Sequence, residues 1–167
     1  MLYARVGDRI YVHGSTASRA IRTLAAGAPA CLTVTVVHGL VLARSAFEHS
    51  ANYESAVVFG RFEAVEEAAE RLVAFEAFTE KVLPGRWREV RPPNRKELKA
   101  TTILALPIEE ASAKVRSGPP DDDDSPDAEL DAWAGVVPIF SSYGTPEPSP
   151  GLRPGTPLSD SVARLIG

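Results

Sequence analysis

The stretch ACLTVTVVHGLVLARSAFEHSANYESAVVFGRFEAV, Ala30 to Val65, decides how the chain folds. ACLTVTVV and LVLARS are rich in β-branched and apolar residues, which suit the pleated, half-buried surface of a strand. His38-Gly39 divides the two runs and predicts a two-residue hairpin. SAVVFGRFEAV predicts a further strand. Between them lies FEHSANYES, Phe47 to Ser55, which is mostly polar, charged or small. By composition it reads as a solvated loop, longer than a tight turn requires. Arg44, His49, Asn52 and Tyr53, with Ser45, Ser50 and Ser55, are the side chains there able to line a pocket. A plain loop is the simpler reading.

Upstream, RIYVH (Arg9–His13) predicts a short strand, and GSTAS leads into RAIRTLAAGAP. Ser18 fits the N-cap of a short helix that Gly27 and Pro29 end. Downstream, EEAAERLVAFEAFTEKVL (Glu66–Leu83) predicts the longest helix. Leu72, Phe75, Phe78 and Val82 recur at three- and four-residue steps and share a face expected to pack on the core. Pro84-Gly85 stops it. Asn94–Lys99 predicts a helical turn, TTILALPI a strand, ASAKVR its continuation after a bend at Pro107, and WAGVVPIF (Trp133–Phe140) the last strand. Meandering strands with few crossover helices predict a mainly β, α+β chain with an antiparallel sheet or small barrel.

SGPPDDDDSPDAELD (Ser117–Asp131) is acidic and carries proline, which predicts a solvated loop. Its aspartates lack the spacing and turn glycine of a calcium loop. His13, His38 and His49 show no zinc-ligand spacing, so no metal site is expected. One domain over 1–143, with the acidic loop 117–129 inside it, and a Pro/Gly-rich C-terminal tail over 144–167 is the expected organisation. The formal net charge of -4 and pI near 5.4 argue against nucleic acid as a partner. No apolar run approaches the ~18 residues of a membrane helix. One cysteine, Cys31, and no signal peptide fit a cytoplasmic location, and Cys31 reads as a small buried hydrophobe.

In YVHGSTASR (Tyr11–Arg19) a strand ends and a hydroxyl-rich turn opens a helix with arginine in its first turn. Free N–H groups, Ser15, Thr16 and Ser18 hydroxyls and the Arg19 fork together suit a phosphate. From the spacing alone, an ordinary capped helix with a surface arginine is the favoured reading. The GxxxxGK[ST] pattern of a P-loop is absent.

YVHGSTASRAIRTL, LVLARSAFEHSANYESAVVFG, RPPNRKELKATTILALPIEEASAKVRSGPPDDD and WAGVVPI together resemble the pyridoxamine 5'-phosphate oxidase-like, flavin-nucleotide-binding family. The nearest subgroup is the one related to nitroimidazole-resistance proteins. The resemblance covers roughly Leu2 to Tyr143. It implies an FMN-binding split β-barrel that acts as a homodimer on a small molecule as a flavin-dependent oxidoreductase. Nitro-group reduction is more natural than true pyridoxamine phosphate oxidation. The alternatives are a non-catalytic flavin or haem binding and storage protein, or a truncated cofactor-free dimeric remnant. The resemblance places Val12, His13 and Gly14 beside the flavin, with His13 as the catalytic residue, and Ser18 and Arg19 on the FMN phosphate. It adds His49, Ser50, Asn52 and Ser55 to the cofactor site. Ala20 stands where the oxidases have lysine, and Glu54 stands where close relatives have arginine, so the phosphate loses positive charge. Met1 directly precedes LYARVGDRIYV, where the family carries a helix and two strands, so those opening elements are expected to be missing.

Overall fold

The computed structural model describes residues 1–166, which divide into two compact units. The first comprises Met1–Ala30, Gly60–Glu109 and the chain from Tyr143 onward; the second comprises Cys31–Phe59 and Glu110–Ser142.

The first unit holds a four-stranded sheet in the order β1 (Tyr3–Val6), β2 (Arg9–Ser15), β6 (Thr101–Pro107), β5 (Glu63–Ala64). β1 and β2 form a tight antiparallel hairpin in which Val6 faces Arg9 across Gly7-Asp8. Gly7 sits at φ 57°, a left-handed conformation that glycine adopts without a side-chain clash. β2 then pairs along its whole length with β6. Ile103, Leu104, Ala105 and Leu106 are each at most 1% exposed, so β6 is buried on both faces. This explains its unbroken apolar run.

One face of this sheet carries Ala4, Tyr11, Ile103 and Ala105, which pack with Val65 and with Ala74 and Phe78 of helix α2 (Ala68–Val82). The predicted helix is present, but its inward face is Ala74 and Phe78, flanked by Phe75 and Ala77. Leu72 and Val82 are 42% and 63% exposed, contrary to expectation. Leu72 lies at the edge of the apolar stripe, and Val82 is the last residue of the helix. Helix α1 (Arg19–Ala25) carries Ser18 as its N-cap, with Gly27 in the left-handed region after it. Helix α3 (Arg95–Ala100) opens on a capping box in which Asn94 and Glu97 satisfy each other's backbone N–H. The C-terminal segment ends in a further helix, α4 (Asp160–Ile166), which the sequence reading did not include. Glu89 holds it by accepting from the backbone N–H and hydroxyl of Ser161. These two bonds keep the Glu89 carboxyl down at about 2.

The second unit holds a sheet in the order β7 (Glu110–Arg116), β4 (Ser50–Arg61), β3 (Pro29–Leu42), β8 (Gly135–Pro138). β3 is one continuous strand, so no hairpin forms at His38-Gly39. Gly39 pairs with Pro138, and a Cβ there would lie 3.0 Å from the Val137 carbonyl oxygen. The glycine therefore admits a close neighbouring strand and does not turn the chain. β4 begins at Ser50, so most of the polar stretch is strand. β7 is also not a continuation of β6. It pairs with β4 in the other sheet, from Tyr53↔Arg116 to Phe59↔Glu110. Cys31 is exposed, not buried, on β3. The acidic segment is not wholly solvated, because Asp122 is 1% exposed.

Candidate functional site

In the first unit, β2 and the turn after it carry Val12, His13, Gly14, Ser18 and Arg19. Alternation along β2 sends Val12 and His13 to opposite faces. Val12 is 2% exposed and its backbone is paired on both sides, to Tyr3 and Leu104. Its side chain belongs to the buried core. The His13 ring lies on Phe78, centroids 4.4 Å apart, with Phe75 at 6.2 Å. Its Nδ1 is buried without a hydrogen-bond partner. Burial pushes its pKa below the ordinary histidine value. The neutral ring protonated at Nε2 is the least costly state, since it leaves only a lone pair on the buried side. Tyr11, two residues earlier, donates its hydroxyl to Glu70 at 2.7 Å. Arg9 bridges Glu70 and Glu63 on the same side.

Gly14 sets the position of α1. A Cβ there would fall 2.7 Å from Ile21 Cγ1, so only glycine lets this helix close on β2. Ser18 Oγ accepts from the Ile21 N–H, which commits it to the cap. Ser15 Oγ accepts from the Ala17 N–H and leaves its own proton to donate. Thr16 and Arg19 are exposed. Among the described residues no ion pair engages Arg19. The strand end and turn thus present hydroxyls and one uncommitted guanidinium, a donor set suited to a phosphate ester.

The second unit carries His49, Ser50, Asn52 and Ser55. Ser55 Oγ shares a hydrogen bond with Thr35 Oγ1 across the strands at 2.9 Å. His49 lies just before β4, with Nδ1 2.8 Å from the Ser45 carbonyl oxygen. Ser50 is exposed at the strand start. Asn52 is fully engaged: its Oδ1 accepts from Arg116 and its Nδ2 donates to the Gly118 carbonyl. Glu54 is exposed and faces His38 Nε2 at 3.6 Å.

Composition did not reveal the clasp around Arg44. Its backbone N–H donates to Asp122 Oδ2 at 2.6 Å, and its guanidinium reaches Asp122 and Asp123 at 2.9 and 2.8 Å. The two carboxylates raise the Arg44 pKa, Asp123 most strongly. An arginine closing one strand and four consecutive aspartates was the available signal. Their pairing across so many residues was not. Among the described residues, no group of three or more His, Cys, Asp or Glu side chains converges to hold a metal ion. Among the described residues no helix is long and apolar enough to cross a membrane.

The family model for pyridoxamine 5'-phosphate oxidase matches residues 1–115. Comparison with curated proteins returned no match. Among solved structures, the FAD and haem binding protein from Mycobacterium smegmatis is 45% identical, with a TM-score of 0.91 over 99% of this chain and 80% of that one. The flavocytochrome Anf3 from Azotobacter vinelandii is 39% identical, with a TM-score of 0.88 over 99% of this chain and 77% of that one. A candidate 5-nitroimidazole antibiotic resistance protein from Bacteroides thetaiotaomicron shares the fold at 18% identity, with a TM-score of 0.53 over 68% of this chain and 64% of that one. The match over residues 1–115, carried by a chain of two antiparallel four-stranded sheets and a few helices, places this protein in the pyridoxamine 5'-phosphate oxidase-like, split-barrel family.

Proposed function

We propose that this chain is a flavin- and haem-binding redox protein that exchanges electrons with a small-molecule acceptor. The observation that carries the reading is the 45% identity, along 99% of the chain, to a protein whose bound groups are FAD and haem. The 39% identity to a flavocytochrome supports it. A bound flavin supplies hydride and one-electron transfer, and the protein supplies orientation and electrostatics.

The residues present fit a flavin nucleotide. Arg19, Ser15 and Thr16 hold a phosphate oxygen, and Ser18 fixes the turn that presents them. Within the second unit, taken by itself, Ser50 is exposed and the Ser55 hydroxyl is oriented by Thr35. His13, kept neutral by burial, acts at neutral pH as a hydrogen-bond donor through Nε2 and not as a standing cation. Val12 and Gly14 act through packing, Val12 from within the sheet and Gly14 by admitting Ile21 of α1. Within the second unit, Asn52 and His49 order the segment that carries them.

FMN is the flavin implied by the family, and FAD the one named for the neighbour. The charge count favours FAD. FMN ends in a phosphate monoester that carries close to two negative charges at neutral pH, as other phosphomonoesters do. Each phosphate within the pyrophosphate of FAD carries one. A turn with Arg19 and Ala20 supplies a single cation, which matches the smaller charge. A homodimer fits the exposed apolar side chains of the second unit, among them Val36, Leu40, Phe59, Val137 and Phe140. A cytoplasmic setting fits the single cysteine.

The test is the visible spectrum of the purified protein, followed by release and mass measurement of the bound groups. The expected outcome is a flavin band with FAD mass and a Soret band, from a species of twice the chain mass. A colourless protein whose thermal midpoint moves with neither FAD nor FMN would overturn the flavin reading. FMN recovered in place of FAD would overturn the charge argument alone.

A further inference from the structure

We propose that Arg71 is a positioning residue for the flavin phosphate: it holds the junction of α3 and β6, and that junction holds the Ser15–Thr16 turn. The inference rests on the phosphate contacts of the functional reading above and lies one layer behind them.

Backbone joins the junction to the turn. β2 ends at Ser15, which pairs with Thr101, the first residue of β6. The next residue, Thr16, donates its N–H to the Ala100 carbonyl at 3.1 Å, and Ala100 is the last residue of α3. The turn that presents the Ser15 and Thr16 hydroxyls therefore moves with the end of α3. That end is an unfavourable neighbour for an anion. The last carbonyls of a helix lack intrahelical partners and carry the negative pole of its dipole.

Arg71 meets both needs. From α2, its Nη2 donates to the Leu98 carbonyl at 2.6 Å and to the Thr101 carbonyl at 2.9 Å. One guanidinium thus spans the junction from helix to strand, on either side of the carbonyl that receives Thr16. It fixes the junction in place and sets positive charge against the carbonyl oxygens beside the turn.

The charge itself is a second observation. Arg71 is half-buried, and among the described residues no ion pair engages it. A guanidinium withdrawn from water is ordinarily paired with a carboxylate, as Arg44 is with Asp122. Arg71 is given to neutral carbonyls instead. Its uncompensated charge favours an anion at the adjoining turn, while Arg19 remains the cation that touches the phosphate.

The test is a set of titrations of the full chain with riboflavin, FMN and FAD, read by flavin fluorescence. The proteins are the wild type, Arg71→Met, Arg71→Gln and Arg71→Lys. Riboflavin has the same ring system and no phosphate. The wild type is expected to bind FMN and FAD more tightly than riboflavin. Arg71→Met is expected to weaken FMN and FAD about 10-fold, the size of a partly buried charge–dipole interaction, and to leave riboflavin unchanged. Arg71→Lys keeps the charge and a donor and should recover most of the loss. Arg71→Gln keeps a donor without the charge, should fall between the two, and carries the test if Arg71→Met does not fold. A role confined to stability would move all three ligands together. If the variants weaken riboflavin as much as FMN and FAD, or weaken none of them, the assignment is overturned and the flavin reading stands. If the wild type binds riboflavin as tightly as FMN and FAD, the assignment is also overturned, because no phosphate is held. If it binds none of them, the flavin reading falls as well.

Discussion

Gly39 shows how a residue can be read correctly for its freedom and wrongly for its use. Its dipeptide looked like a turn, yet Gly39 is needed for the absence of a side chain where β8 passes. Gly39→Val is expected to lower stability by about 1–3 kcal/mol through overpacking against Val136 and Val137, measured by urea denaturation. A cost below about 0.5 kcal/mol would mean that β8 lies further away. The Arg44–Asp122 pair gives a second residue-scale expectation. Arg44→Ala leaves a buried carboxylate with the backbone N–H alone, whereas Asp122→Asn removes the charge together with the need for a partner. Arg44→Ala should therefore be the less stable variant in the same assay, and the reverse order would reject the clasp. Ser18 was legible as a cap because capping is local chemistry within three residues. The Arg44–Asp122 and Asn52–Arg116 contacts join residues more than sixty positions apart, and no local pattern encodes which partners meet.

Among the elements, α2 tests periodicity against packing. The three- and four-residue spacing identified a helix and correctly marked Phe78, but it could not tell which edges of the stripe the sheet would cover. Phe78→Ala is expected to cost about 3–5 kcal/mol, since Phe78 fills the space between Ala74, Ile103 and Ala105. Leu72→Lys is expected to stay within about 0.5 kcal/mol of the wild type. Thermal or urea midpoints of the two variants decide the matter, and equal losses would favour the wider stripe. The strands were legible where β-branched residues cluster, as in β3 and β6. ASAKVR was misassigned to β6 because the two residues between β6 and β7 leave no composition break to mark a change of sheet. Every residue of β7 before Arg116 is exposed, so its sequence carries no burial signal. α4 escaped notice for a related reason: its seven residues follow a long proline-rich segment, and what holds it is the distant Glu89 carboxylate.

For the whole molecule, acid should act in two stages. The His13 pKa is lower in the folded chain than its ordinary 6.5. Above about pH 6.5 the ring is neutral in both states and its contribution to stability is complete. As the pH falls below that value the unfolded chain takes up a proton that the folded chain refuses, so stability declines toward the folded pKa. Glu89 and Glu97 are shifted in the same sense but over a lower range, each held at about 2 against an ordinary 4.5. Their contributions are complete above about pH 4.5 and disappear as the pH falls from there toward 2. The thermal midpoint should therefore sag gently below pH 6.5 and steeply below pH 4.5. His13→Gln should remove the first stage and keep the second, and a variant that retained both would show that another group titrates. The pairing of β2 with β6 has a further consequence during biosynthesis. β1 and β2 leave the ribosome together, but the strand that completes their sheet follows about 90 residues later, which is about 5–20 s at usual elongation rates. Throughout that delay the nascent hairpin presents Ile10, Tyr11 and Val12 and one unpaired edge to the cell. Chaperone supply and translation speed, acting before the sheet exists, will set how much of this protein is recovered in native form.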